Sequence, residues 1–371
     1  MKLSLAVLCG GRSGEHEVSL QSALGIYNAL DRERFDPVLL AIDKEGSWRM
    51  GTAGSLLLDA GDPARIRLDP EAPVVHPLSR GGHCVLVAQE TLAPLAEVEV
   101  ALPIIHGTDG EDGALQGLLQ LMDLPYVGAD VLGSAVGMDK DVMKRLLTVA
   151  DLPVAPFTTF RSPGVAREAF AGLAERQGLP LFVKPASLGS SVGVSRVSDR
   201  AGYEAALDEA FAYGEKVIVE GAIVGREVEC SVLGSPYSGR HPPRASRVGE
   251  IVPRHGFYSY RAKYLDADGA ALIVPAVLEP EVEARVQELS LRVFDVMECD
   301  GMARVDFFVR DGGGVVVNEL NTLPGFTPIS MYPKLWEASG LPYGELLTRL
   351  VELALERHAR RRALKRNYDL G

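Results

Sequence analysis

The stretch that decides the fold reads LSLAVLCGGRSGEHEVSLQSALGIYNAL over 3–30, followed by PVLLAI over 37–42. Residues 3–8 are an apolar run ending in Gly10 and Gly11, the pattern of a buried strand feeding a glycine turn. Residues 18–30 carry helical spacing, and 37–42 is a second apolar run. Strand, turn, helix, strand is a βαβ unit and predicts a mainly parallel sheet.

Outward from this unit, 98–105 predicts another buried strand ending at His106 and Gly107. Residues 44–97, rich in Gly, Pro and Asp, read as an irregular insertion with some short strands. A helix is expected over 138–150. Residues 153–223 read as a small α+β domain, with strands near 181–184, 193–197 and 217–220 and helices near 163–177 and 201–212. Further strands are expected at 226–233, 245–252, 271–274, 302–309 and 314–320. A long helix with Val282, Val286, Leu289, Val293 and Val296 on one face interrupts them. A helix near 342–360 closes the chain, and its arginine run from Arg357 reads as a solvated helix end.

The chain has 371 residues, enough for two or three domains, and 47% hydrophobic content supplies more than one core. Fifty acidic against 38 basic residues give a net charge of −12, which argues against a general nucleic-acid binder but permits a local basic pocket. Cys9, Cys84, Cys230 and Cys299 are scattered, without zinc-like spacing, so free buried thiols are expected. The apolar stretch at 3–9 is too short for a signal peptide. No run approaches the ~20 apolar residues of a membrane span. A soluble, cytoplasmic, multi-domain protein is the expectation.

Four segments carry chemistry, each with a plainer alternative. Gly10 to Ser19 lets a ligand approach the backbone at a helix start, or is simply a turn with acidic capping by Glu15 and Glu17. KPASLGSSVGVS (184–195) ends a strand with Lys184 and offers Ser190, Ser191 and backbone amides to phosphate; otherwise it is an exposed hairpin turn. Glu220 and Glu227 flank a crossing suited to a nucleotide base, although a pair of exposed loop carboxylates is the reading favoured without context. In the fourth, alternation puts Arg304 and Asp306 on one face of a strand, and Glu319 and Asn321 on one face of the next. DGGG (311–314) turns between them, so the pairs can lie side by side as an all-oxygen site for Mg²⁺. A structural Arg–Asp and Glu–Asn network is the alternative. FYSYRAKY (257–264) reads as a loop able to close over a site, or as a core aromatic cluster.

Together GGRSGEHEVSL (10–20), HGTDGEDGALQG (106–117), GMDK (137–140), KPASLGSSVGVS (184–195), the Glu220/Glu227 pair, YRAKY (260–264), ARVDFF (303–308) and NELNTLPGFTPISMYP (318–333) resemble, in order, the D-alanine–D-alanine ligases of the ATP-grasp superfamily. The resemblance implies a three-domain α/β and α+β architecture: an N-terminal parallel-sheet domain (1–128), a central ATP-grasp domain (129–224) and a C-terminal ATP-grasp domain (225–371), with nucleotide between the last two. It implies ATP and two Mg²⁺ (or Mn²⁺) as cofactors, D-alanine as both substrates, and a homodimer. Lys140, Lys184 and Lys263 would meet the ATP phosphates, with Ser190 and Ser191 in the phosphate loop. Glu220, Ala222 and Ile223 would hold adenine, and Glu227 the ribose. Asp306, Glu319 and Asn321 would hold metal. Glu15 would face the ammonium of the first D-alanine, with His106 nearby. Arg304 and the Gly325 amide would form the oxyanion hole, and Ser330 and Met331 would bind the second carboxylate. Glu15, Ser190 and Tyr264 would join when the loop closes. Rival readings are a ligase using D-lactate or D-serine as second substrate, against which Tyr264 argues, and a catalytically idle nucleotide-binding protein.

Overall fold

The structure is a computed structural model that describes residues 2–62, 65–80, 83–253 and 270–365. Strand β1 (Leu3–Gly10), helix α1 (His16–Ala29) and strand β2 (Phe35–Ile42) form the expected βαβ unit, with β1 and β2 parallel from Leu3↔Phe35 to Gly10↔Ile42. Glycine is required at the turn. Gly10 and Gly11 both have left-handed φ, and a Cβ on Gly10 would lie 2.2 Å from the Ile42 carbonyl oxygen. Ser19 locks the turn from below: its Oγ accepts from the Gly10 amide at 2.8 Å and donates to the Ile104 carbonyl.

The stretch 44–97 holds the short strands expected of it, and most of them extend the first sheet. Besides a short helix α2 (Ala53–Leu56) and a two-stranded ribbon, β4 (Leu57–Leu58) with β5 (Arg67–Leu68), it supplies four strands to the first sheet. These are β3 (Trp48–Gly51), β6 (Val74–Arg80), β7 (His83–Ala88) and β8 (Pro94–Val98). With β9 (Val100–Pro103) the order is β8-β7-β6-β3-β2-β1-β9, so only β2, β1 and β9 are mutually parallel and the sheet is mixed. The strands are short and mostly half-exposed, which is why composition hid their bounds and their place in the sheet. The run expected over 98–105 is likewise split, because Glu99 leaves β8 and its amide pairs with Ser4.

Helices α3 (Ala114–Leu121) and α4 (Val131–Met138) lead to α5 (Lys140–Val149). The helix expected from about 138 to 150 is α5, and Asp139 starts it: its carboxylate accepts from the Asp141 and Val142 amides. Strand β10 (Phe157–Phe160), helices α6 (Pro163–Glu168) and α7 (Phe170–Gln177), β11 (Leu181–Pro185), β12 (Ser195–Val197), α8 (Arg200–Tyr213) and β13 (Val217–Gly221) follow. Their sheet is antiparallel, β10-β13-β11-β12; the single helix expected over 163–177 is two.

The last sheet, β16-β15-β14-β17-β18, is wholly antiparallel. It comprises β14 (Arg226–Gly234), β15 (Arg244–Pro253), β16 (Ala270–Ile273), β17 (Gly301–Val309) and β18 (Val315–Asn321). Helix α9 (Pro280–Val296) covers one face with Val286, Leu289, Val293 and Phe294, close to the stripe read from spacing. Helices α10 (Met331–Ala338) and α11 (Tyr343–Arg362) then return to the first sheet. Leu346, Leu347, Leu350 and Val351 share one core with Leu5, Val7, Leu20 and Ile26. Among the described residues no helix is long and apolar enough to cross a membrane.

The arginine run on α11 is not a solvated helix end. Arg357 is buried; its guanidinium donates to the carbonyls of Gly128 and Tyr126 and stacks 4.6 Å from the Tyr126 ring centre. Arg360 meets Asp300 at 2.9 Å, and Arg361 meets Asp130. The run clamps the exit of the first sheet against the last helix. Replacing Arg357 by Met keeps apolar bulk but orphans two buried carbonyls. A loss of about 3 kcal/mol in unfolding free energy is expected, read by denaturant titration, with Arg357→Lys recovering part of it.

Candidate active site

Between the four-stranded and five-stranded sheets lies a cavity of about 360 Å³. Its walls combine apolar surface from Phe182, Ile223, Ile251 and Phe308 with the charged heads of Lys140, Lys184, Glu220, Glu227, Asp306 and Glu319. Glu220 lies within β13 inside the fold, which overturns the reading of 220 and 227 as exposed loop carboxylates: Glu220 is 3% exposed and Glu227 half-buried. Two ammonium groups hold it, Lys184 at 2.8 Å and Lys144 at 3.2 Å. Burial alone would raise the Glu220 pKa, but Lys144 and Lys184 outweigh it and bring it to about 2. Burial also works on the lysines. Lys184, the closer partner, still ends above its ordinary value through Glu220, whereas desolvation pulls the more distant Lys144 below it.

The hairpin of β17 and β18 has the expected partners. Arg304 lies opposite Asn321, and Asp306 opposite Glu319. The register carries a bulge after Asp306, where Phe307 pairs with Val317 and Asn318 is the extra residue. Val315, Val317 and Leu320 all enter the core, so the bulge turns Glu319 and Asn321 to the opposite face, beside Arg304 and Asp306. Arg304 donates from Nε and Nη2 to the two Asp306 oxygens, each at 2.7 Å, and Nε lies 3.0 Å from Glu229. Burial opposes its charge, yet Asp306 and Glu229 outweigh that and raise its pKa further. Asn321 Nδ2 donates to Asp306 at 3.1 Å. Lys140 Nζ sits 3.4 Å from Glu319 and donates to the Leu188 carbonyl at 2.7 Å.

Two carboxylates and an amide oxygen on facing strands form a hard, all-oxygen donor set. Among the described residues no cluster of three or more His, Cys, Asp or Glu forms. So sparse a set suits a cation that keeps waters and shares its coordination with phosphate oxygens, as Mg²⁺ does. The residues therefore fit that ion and no all-protein cage.

The loop after β11 reaches the first sheet, where Ser190 Oγ donates to Glu15 Oε1. Ser190 and Ser191 both have left-handed φ. Glu15 is buried at the start of α1, beside Gly107, near the His106 ring. Burial lowers the His106 pKa, but Glu111 and then Glu15 more than offset it, so it ends above its ordinary value. Gly325 and Ser330 lie together: a Cβ on Gly325 would sit 2.7 Å from Ser330 Oγ. Ser330 Oγ accepts from the Thr327 amide at 3.0 Å and stands at the N-cap of α10, with Met331 its first residue. Lys263 and Tyr264 lie outside the described residues.

Sequence reasoning missed Lys144, Glu229 and Lys216. Lys144 is four residues from Lys140 on one helix, and Glu229 alternates with Glu227 on one strand, so periodicity carried a signal for both. Lys216 carried none. It bridges Asp139 at 2.5 Å and Asp141 at 3.1 Å, residues some 75 positions away, and so anchors the start of α5.

Residues 4–129 match the family model described as D-ala D-ala ligase N-terminus, and 146–352 the one described as D-ala D-ala ligase C-terminus. The chain is 52% identical over 368 residues to D-alanine–D-alanine ligase A of Chromobacterium violaceum, covering 99% of each chain. It superposes on the D-alanine-D-alanine ligase of Coxiella burnetii with TM-score 0.83 and 39% identity, over 97% of this chain and 96% of that one. The VanG D-Ala:D-Ser ligase of Enterococcus faecalis gives TM-score 0.81 and 32% identity, over 95% and 100%.

The depressed pKa of Glu220 sets a pH signature. Its contribution to stability is complete above the ordinary carboxylate value and disappears as pH falls from there towards about 2. Glu220→Gln should lower unfolding free energy by about 3 kcal/mol at pH 7, with the deficit shrinking towards pH 2–3. Denaturant titrations at both pH values read it.

Proposed function

Because the chain belongs to the D-alanine–D-alanine ligase family, we propose that it joins two D-alanine molecules with consumption of ATP, through an acyl phosphate, for peptidoglycan precursor synthesis. The observation that carries this reading is the hairpin register, which sets Asp306 against Glu319 and Arg304 against Asn321 at the edge of the cavity holding Lys140, Lys184 and Glu220.

In this reading Glu220 and the backbone of Ala222 and Ile223 hold adenine, and Glu227 holds the ribose. Lys140 and Lys184 neutralise the phosphates, with Ser190 and Ser191 closing over them. Asp306, Glu319 and Asn321 would hold two Mg²⁺. Bound there, the ions would withdraw charge from the phosphate oxygens. Glu15, backed by His106, orients the ammonium of the first D-alanine. A carboxylate oxygen of that substrate attacks the γ-phosphorus, and the bond from phosphorus to ADP breaks.

The amine of the second D-alanine, its carboxylate held by Ser330 and the Met331 amide, then attacks the acyl carbon. It loses a proton, and inorganic phosphate leaves. Arg304 is well suited to the tetrahedral oxyanion. Asp306 and Glu229 engage its Nε and Nη2 and fix the guanidinium plane, while Nη1 takes no part in those contacts. Lys263 and Tyr264 belong to the same reading as a closing loop that keeps water from the acyl phosphate. We further take the chain as three units, 1–128, 129–224 and 225–371, working as a cytoplasmic homodimer; four buried free thiols accord with a reducing compartment.

Phosphate release from ATP should require D-alanine, with D-alanyl-D-alanine as product. L-alanine, D-lactate and D-serine should not replace the second substrate; release that ignores D-alanine would overturn the reading. Arg304→Lys keeps the charge but loses the fork, and kcat should fall on the order of 10²-fold with little change in KM for ATP. A defect confined to KM for D-alanine would assign Arg304 to ground-state binding instead.

A further inference from the structure

A second cavity, of about 150 Å³, lies at the opposite end of β14 from Glu227 and Glu229. It shares no lining residue with the cavity between the sheets. Leu233, Gly234, Pro242 and Leu353 form its apolar part; every remaining lining side chain is basic: Arg240, His241, Arg244 and Arg349. In a chain of net charge −12 such a pocket needs a reason.

Arg349 Nη1 donates to His241 Nδ1 at 2.9 Å, so the proton of a neutral ring sits on Nε2, 3.8 Å from Glu356. Arg349 Nε is buried without a hydrogen bond, the nearest carboxylate oxygen being that of Glu352 at 3.3 Å. The nearby carboxylates are already shared. Glu352 also pairs with Arg34, and Glu356 accepts from Ser238. Arg240 and Arg244 have no carboxylate partner among the described residues; Arg244 lies instead over the Trp336 ring at 5.7 Å. The cavity thus gathers guanidinium donors in excess of acceptors, in a space large enough for a tetrahedral oxyanion.

We propose that this cavity binds a phosphate group, free or as a phosphomonoester, at a site separate from the nucleotide. Its walls touch the helix that starts at the second-substrate turn. Trp336 on α10 packs under Arg244, and Tyr332 on α10 donates to the Val232 carbonyl at 3.0 Å, next to Leu233. An anion that draws Arg244 towards itself changes the contact on Trp336. Binding is therefore read directly at α10, whose N-cap is Ser330.

The test uses the full chain with its nucleotide site filled by a non-hydrolysable ATP analogue and Mg²⁺, so that only a second site remains for phosphate. Calorimetric titration with inorganic phosphate should give one site per chain. Glycerol 3-phosphate forms a second arm: equal binding assigns the site to phosphomonoesters as well, and binding of phosphate alone to the free anion. In the double variant Arg240→Gln, Arg244→Gln, both exposed positions, affinity should fall at least tenfold with the melting temperature and analogue affinity unchanged. The chain has two tryptophans, so a Trp48→Phe background isolates Trp336, whose emission should shift on saturation with phosphate. No saturable binding, or undiminished affinity in the double variant, overturns the site. Saturation without a shift in Trp336 emission overturns its link to α10.

Discussion

Asp306 and Glu319 face each other across two neighbouring strands, and two like charges in that position are tolerable only with cations around them. Arg304 lies along β17 to meet Asp306, and Lys140 comes from the start of α5 to meet Glu319. That second demand shapes much of the middle of the chain. Lys140 arrives there because Asp139 restarts the helix. Asp139 is held in turn by Lys216 and by the Ser187 hydroxyl at 3.3 Å, and the Lys140 amide donates to the Ala186 carbonyl at 2.8 Å. The loop after β11 and the carboxylate hairpin are therefore parts of one electrostatic assembly, although they stand on different sheets.

Glu220 repeats the principle in a more buried setting. A carboxylate that deep is strongly disfavoured alone, and Lys144 and Lys184 restore the balance from a helix and a neighbouring strand. Both clusters leave the walls of the cavity charged yet compensated. The first sheet joins through Ser190 and Glu15, and the return of α11 into the first core keeps the ends of the chain together. Arg357 belongs to that closure, which is why its head is inside the fold.

Much of this was legible in the residues. The βαβ unit follows from an apolar run, two glycines and helical spacing. The stripe of Val286, Leu289 and Val293 follows from the period of a helix. The placing of Arg304 with Asp306 on one face of a strand, and of Glu319 with Asn321 on one face of the next, follows from the period of a strand, and a DGGG turn makes the two strands neighbours. These features are local, so a short window contains the whole cause. The bounds and sheet membership of the four strands in 44–97 were not legible because the strands are short, mostly half-exposed and interrupted by turn residues, and because their pairing with β2 and one another is what makes them strands.

The bulge at Asn318 marks the boundary between the two kinds of information. Alternation by itself would send Glu319 to the same side as Val315 and Val317, into the core beneath α9; one extra residue resets the phase and leaves Leu320 in the core. Sequence alone determined which side chains the hairpin carries and that each strand presents its pair on one face; the bulge decided that the two pairs face each other. Only the tertiary structure decided that Glu220 is buried between two lysines, that Lys216 holds Asp139, and that Arg357 points inward. Each of those outcomes depends on a charge far away in the chain, and the energy of a buried charge is set by its partners in space, which no local pattern of residues contains.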